Sequence, residues 1–199
     1  MKYIFIIFFS LISIINAEIV LREHNNLYCY DGDTCYVEVN GKILETKRIL
    51  IATGGWPFKP EIPGGDLAMD SNDVFAMDTL PKRIVVVGGG YIAVEFAGIF
   101  NGLGCDTQLL YRGDQILRGF DNEVRGFVTQ EVAKAGVKIR TQTDVERIEE
   151  DGDEKICHLS DGSTLRCDLV MMATGRKAKT SNLGLEEAGV ELRKNGSIV

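Results

Sequence analysis

The sequence lacks most of what a metal, nucleic-acid or disulfide-stabilised protein would need. It has two histidines, His24 and His158, far apart in the chain, and no Cys-x-x-Cys pair, so no metal-ligand spacing is present. Its five cysteines (Cys29, Cys35, Cys105, Cys157, Cys167) are odd in number and irregular in spacing, which excludes a disulfide framework. There is no basic surplus: 22 Lys and Arg stand against 29 Asp and Glu, a net charge of −7. Such a chain cannot displace the counterions of a polyanion, and no nucleic-acid partner is expected. Its longest apolar run, Ile4 to Ile15, is interrupted at Ser10 and Ser13 and is too short to cross a bilayer comfortably.

That run admits two readings. Lys2, the apolar stretch and Asn16-Ala17 make a secretory signal pattern. Ile, Phe, Lys, Asn and Tyr are also the residues of A/T-rich codons, so residues 1–17 equally suit a spurious or alternative start. The enzyme-like remainder favours the second reading, with a cytoplasmic or organellar location; a true signal would make the protein secreted. The sequon Asn195-Gly196-Ser197 matters only in that case.

What is present reads as an α/β protein with enough chain for one or two domains. Residues 27–46 predict an antiparallel meander. Tyr28–Tyr30 and Thr34–Val37 flank Asp31-Gly32-Asp33, and Val37–Val39 and Lys42–Leu44 flank Asn40-Gly41, a strong hairpin signal. Arg48–Ala52 is an apolar strand candidate, and Trp56–Gly65, with three prolines, a connecting loop. Ser71 can cap a short helix through Met77. From Pro81 an α/β unit follows: strand Ile84–Val87, helix 91–103, strand Thr107–Tyr111, a helix capped by Asp121, and strand Val137–Arg140. The Asp121 helix carries an apolar stripe at Val124, Phe127, Val128 and Val132. Antiparallel pieces come next at Val145–Ile148, Lys155–Leu159 and Thr164–Cys167, then a last apolar strand, Leu169–Ala173.

The chemistry-bearing segment is Gly88-Gly89-Gly90-Tyr91-Ile92-Ala93, set between a buried strand and a helix. Gly88 allows the tight turn, Gly90 lets the backbone approach a pyrophosphate, and Ala93 keeps the helix close to the sheet. The helix N-terminus offers free N–H groups and partial positive charge to phosphates. The second strand ends Leu110-Tyr111-Arg112, and Arg118 follows. An acid at this point would suit the 2′-hydroxyl of NADH; two guanidiniums suit a 2′-phosphate and favour NADPH. Asp114 and Asp121 are the competing partners for these arginines, which would then be ordinary surface charges. Tyr91 is placed to cover a nicotinamide. Glu95 is either a buried functional carboxylate or one favoured by the helix dipole in the first turns.

Four stretches, 48–57, 86–104, 117–121 and 172–177, carry a family resemblance. The chain from residue 37 to 199 resembles the middle of a pyridine nucleotide–disulfide oxidoreductase of the glutathione reductase type. The resemblance implies a Rossmann-like NADP-binding domain with a parallel sheet and an antiparallel β-meander, inserted within a split FAD-binding domain. It divides the chain into residues 18–78 (FAD-domain remnant), 79–175 (NADP domain) and 176–199 (return to the FAD domain). By position, Gly89, Ile92, Glu95, Arg112, Arg118 and Gly175 would contact NADPH, Tyr91 would gate the flavin, and Arg176 would lie by the cofactor. Ala52, Thr53 and Gly54 would lie against FAD. The implied activity is electron transfer from NADPH through FAD and a protein disulfide to glutathione disulfide, in a homodimer.

The sequence departs from that pattern. The FAD-binding glycine motif and the redox pair Cys-Val-Asn-Val-Gly-Cys are absent, and no catalytic residue is assigned. Cys29 and Cys35 have five residues between them rather than four and fall in an expected hairpin. The second FAD segment and the dimerisation domain are also missing. The expectation is an NADPH-binding fragment inactive by itself. The alternatives are a stand-alone NADPH-binding module or a related flavoprotein reductase of the trypanothione or dihydrolipoyl type.

Overall fold

A computed structural model describes residues 19–21, 35–39, 42–46 and 48–199. In chain order the strands are β1 (Ile19–Leu21), β2 (Cys35–Val39), β3 (Lys42–Thr46) and β4 (Gly55–Pro57). A short 3-10 turn at Gly65–Leu67 and helix α1 (Ser71–Phe75) follow. Then come β5 (Arg83–Val87), α2 (Tyr91–Gly102), β6 (Asp106–Leu110), α3 (Asn122–Lys134) and β7 (Lys138–Arg140). The rest are β8 (Val145–Asp151), β9 (Glu154–Leu159), β10 (Thr164–Cys167), β11 (Leu169–Met172) and β12 (Arg176–Ala178), the last paired with β4. This is the mixed α/β class expected from the sequence, divided into two compact units: residues 57–176, and residues 1–56 with 177–199.

In the 57–176 unit a parallel four-stranded sheet has the order β11-β5-β6-β7. β5 lies inside it, with Val87 opposite Leu110 of β6 and Met172 of β11. The uninterrupted apolar run Ile84–Val87 in β5 follows from burial on both faces. Ile84 and Val86 pack with Ala93, Phe96, Ala97 and Phe100 of α2. Val85 and Val87 face Val145, Ile148, Cys157 and Leu159 of the antiparallel β10-β9-β8 sheet. Each such valine contributes about 1.5–3 kcal/mol by leaving water. The residues 57–78 also belong to this unit: Ala68 lies in the second core cluster, and Met69 bridges to Met171. At the amino end of β5, Arg83 ties three strands together. It donates to Asp168 through Nε (3.2 Å) and Nη2 (2.5 Å) and to Glu154 through Nη2 (2.6 Å).

In the other unit β1, β2 and β3 form an antiparallel sheet. The register places Val39 opposite Lys42, so β2 and β3 pair antiparallel as the sequence indicated; the expected turn at Asn40-Gly41 lies outside the described residues. The outer strand of this sheet is Ile19–Leu21, and the expected strand at Tyr28–Tyr30 lies outside the described residues. Lys179 places its ammonium 4.9 Å from the Trp56 ring centre.

Four expectations are corrected. The expected loop Trp56–Gly65 begins in a strand, since Trp56 and Pro57 belong to β4, paired with β12. Arg48–Ala52 is not a strand: no ladder forms along it among the described residues, and Leu50 is exposed. An apolar run without a partner strand has no backbone reason to be β. Helix α1 is capped by Asp70, not Ser71, and ends at Phe75 instead of Met77. Asp70 accepts from the backbone N–H of Asn72 and Asp73, while Asp73 accepts from that of Asp70, a reciprocal capping box. In α3 only Val128 and Val132 of the four-residue stripe pack on the core; Val124 and Phe127 are exposed. The helix touches the sheet along one edge, and half of its apolar stripe is left outside.

Candidate dinucleotide site

The site forms at the carboxyl edge of the parallel sheet. β5, β6 and β11 are parallel neighbours, so the residues leaving them (Gly88, Tyr111-Arg112 and Ala173 to Arg176) emerge at one edge. The order β11-β5-β6 sends the chain from β5 to one side and returns it on the other. A crevice at such a switch point is where α/β sheets take ligands.

The first two glycines are required by the protein itself. Gly88 has φ +143°, and a Cβ there would lie 2.3 Å from the Ala173 carbonyl oxygen. A Cβ on Gly89 would lie 2.4 Å from Cγ and Cδ2 of Tyr111. At Gly90, outside its own chain neighbours, no protein atom lies within 4 Å of where a Cβ would be. The fold therefore explains Gly88 and Gly89 but not Gly90, the position that the sequence reading gave to close backbone approach by a pyrophosphate. Ala93 is fully buried, and its Cβ is 3.3 Å from the place a Gly88 Cβ would take, so the helix does sit tightly on the strand.

No side chain caps the N-terminus of α2, and its first turn holds no acid. The twelve-residue helix thus presents its leading N–H groups and the positive end of its dipole at the carboxyl edge of the sheet. These features suit a pyrophosphate.

Arg112 follows β6 directly, and Arg118 lies six residues further on; both are exposed. Among the described residues neither has a hydrogen-bond or ion-pair partner. The competing acids are otherwise engaged. Asp114 lies 3.9 Å from Arg125, and Asp121 accepts from the N–H groups of Glu123 and Val124 as the cap of α3. Two uncommitted guanidiniums beside an anion-binding helix end fit a 2′-phosphate.

The remaining assigned residues separate by location. Tyr91 opens α2 and is half exposed, while Ile92 leans on the core. Glu95 is exposed, which removes the buried-carboxylate reading and leaves the surface one. Gly175 has φ +135° and open space around it, and its carbonyl accepts from the N–H of Phe58 at 2.9 Å; Arg176 beside it is exposed. Thr53 and Gly54 belong to the other unit, where Gly54, at φ +69°, accepts from the N–H of Lys179. Cys35 opens β2, and Cys29 lies outside the described residues.

Comparison with known proteins places the chain in a family. The family model described as pyridine nucleotide-disulphide oxidoreductase matches residues 11–199. The chain belongs to this family. A glutathione reductase of Burkholderia cepacia is 45% identical over 162 residues, 81% of this chain and 36% of that protein. A trypanothione reductase of Leishmania donovani is 46% identical over 160 residues, 78% of this chain and 32% of that protein. The chain thus spans about a third of the length of these curated relatives. Among solved structures, the HOCl-induced flavoprotein disulfide reductase RclA from Escherichia coli superposes with a TM-score of 0.74 at 30% identity, over 82% of this chain and 38% of that one.

Within this family's pattern, the chain has one strand–glycine turn–helix of the dinucleotide-binding kind among its described residues, at β5–Gly88–α2. The sequence reading missed two contributors. Tyr111 fills the space beside Gly89, and Arg125 holds the loop between the two arginines. An arginine on a helix gives no sign in the sequence that it bonds to carbonyls nine and ten residues earlier.

Proposed function

We propose that this chain provides the NADPH-binding part of a flavin-dependent disulfide reductase acting on glutathione-type disulfides. The observation that carries the reading is the pair of exposed, unpartnered guanidiniums, Arg112 and Arg118, next to the uncapped N-terminus of α2. In this reading the α2 N–H groups and Gly88–Gly90 take the pyrophosphate, and the arginines take the 2′-phosphate. Tyr91 covers the nicotinamide, with Ile92, Glu95, Gly175 and Arg176 lining the rest. NADPH, when bound, supplies a hydride. Thr53 and Gly54 are proposed as contacts to FAD, on the family resemblance alone.

A trypanothione-type disulfide is the second reading. It is supported by the similar identity of the glutathione and trypanothione reductase relatives, 45% and 46%. Equal likeness to enzymes named for different disulfides suggests that residues selecting the disulfide lie outside the matched stretch.

The test is calorimetric titration of the chain with adenosine 2′,5′-bisphosphate and with adenosine 5′-monophosphate, which differ only in the 2′-phosphate. Measurable binding of the bisphosphate alone is expected. Equal binding of both would contradict the assignment of Arg112 and Arg118.

A further inference from the structure

The loop that carries the two arginines is pinned at nearly every point except at the arginines themselves. The N–H of Gln142 donates to the Gly113 carbonyl (2.8 Å), and that of Thr143 to the Tyr111 carbonyl (3.1 Å). Ile116 and Leu117 are buried, and the N–H of Leu117 donates to the Gly89 carbonyl at 2.5 Å. Leu117 does this with φ +58°, a left-handed conformation that a branched side chain adopts only when its surroundings over-determine it.

One side chain supplies much of that constraint. Arg125, in the first turns of α3, is 14% exposed and turned back along the loop. Its Nε donates to the Ile116 carbonyl at 2.8 Å and its Nη2 to the Gln115 carbonyl at 2.7 Å. Nη2 also lies 3.9 Å from Asp114, and Nη1 donates to Asn122 at 3.0 Å. A planar guanidinium can hold two successive carbonyls in fixed relation, which an ammonium cannot. The held carbonyls immediately precede Leu117 and Arg118.

We infer that Arg125 is a positioning residue for coenzyme selection: by clamping the carbonyls of Gln115 and Ile116 it holds the strained Leu117 turn that aims Arg118 at the 2′-phosphate, without touching the nucleotide. The inference rests on the NADPH reading above.

The experiment measures dissociation constants for NADPH and for NADH on the whole chain, for the wild type and for Arg125→Ala, Arg125→Lys and Arg118→Ala. The readout is the ratio of the two constants, because general loosening of the unit weakens both coenzymes alike. Arg125→Ala should reduce the preference for NADPH by about tenfold, mostly through NADPH, as expected when one charge-assisted hydrogen-bonding group is misplaced. Arg125→Lys keeps the charge and most of the stem, so it tests the clamp even if the alanine variant does not fold; it should restore only part of the preference. A wild-type preference that Arg118→Ala abolishes but both Arg125 variants leave intact would overturn the inference alone. A wild type with no preference for NADPH would overturn the underlying reading and the inference with it.

Discussion

The ring of Tyr111 occupies the space that a Cβ on Gly89 would need, with Cγ and Cδ2 both 2.4 Å from its position. The residue just before Arg112 and the middle glycine of the turn are therefore packed as one piece. The three glycines should consequently respond differently to alanine. Gly88→Ala and Gly89→Ala, which force a side chain against the Ala173 carbonyl and the Tyr111 ring, should each cost about 1–3 kcal/mol of stability. Gly90→Ala meets nothing within 4 Å beyond its own chain neighbours and should leave the thermal midpoint unchanged while weakening NADPH. Chemical denaturation and coenzyme titration of the three variants check this. A Gly90→Ala variant that loses stability but binds normally would refute the ligand explanation of that position.

Arg112→Ala and Arg118→Ala should each weaken NADPH by about tenfold or more, as loss of a charge-assisted hydrogen-bonding group does. NADH affinity should change little. Added salt should reduce the effect, because both arginines are exposed. Fluorescence titration at two ionic strengths decides the point.

Asp168 gives the fold an acid-sensitive anchor. Its hydrogen bonds from the Arg83 side chain hold its carboxyl below the usual carboxylate range. A depressed folded-state value means the stabilisation is complete above the unfolded value, about 3.9, and is lost as pH falls through the folded one. Asp168→Asn should thus lower stability at pH 7, and its deficit against wild type should shrink below about pH 4. A deficit independent of pH would show that packing, not charge, is what Asp168 supplies.

Cys105, Cys157 and Cys167 are buried free thiols. Burial pushes the Cys105 thiol up, and contact with Cys167 together with burial does so for Cys157. Maleimide labelling followed by mass spectrometry should find Cys105 and Cys157 unmodified in the native protein and modified in guanidinium. Rapid native labelling of Cys157 would contradict the packing of β9 under the parallel sheet.

The two phenylalanine environments supply a contrast within the helices. Phe100, in the α2 core cluster and 2% exposed, should cost about 3–5 kcal/mol on change to alanine. Phe127, 66% exposed on α3, should cost no more than about 0.5 kcal/mol. Urea unfolding of both variants tests whether α3 docks along one edge only.

What the sequence made legible was what local pattern controls. The apolar β5, the glycine turn, α2 and the pairing of β2 with β3 each carry their own signal in a few residues. The place of Arg112 was legible because the end of the second strand has a fixed position in such a unit. The state of those arginines was not: only the folded chain shows Asp114 drawn to Arg125 and Asp121 spent on capping α3. Leu117 at positive φ contradicts the preference of its residue type, so no pattern would propose it. The failed strand at Arg48–Ala52 and the half-exposed stripe of α3 have a common cause. Apolarity states that a residue can be buried, and only the neighbouring elements decide whether it is.

The most direct test of the account is the ratio of NADH to NADPH dissociation constants for the unaltered chain, measured at one ionic strength. The two unpartnered arginines predict that NADPH binds at least about tenfold more tightly, the value of roughly one charge-assisted contact. Equal affinity, or tighter binding of NADH, would contradict the assignment of Arg112 and Arg118 as a 2′-phosphate site.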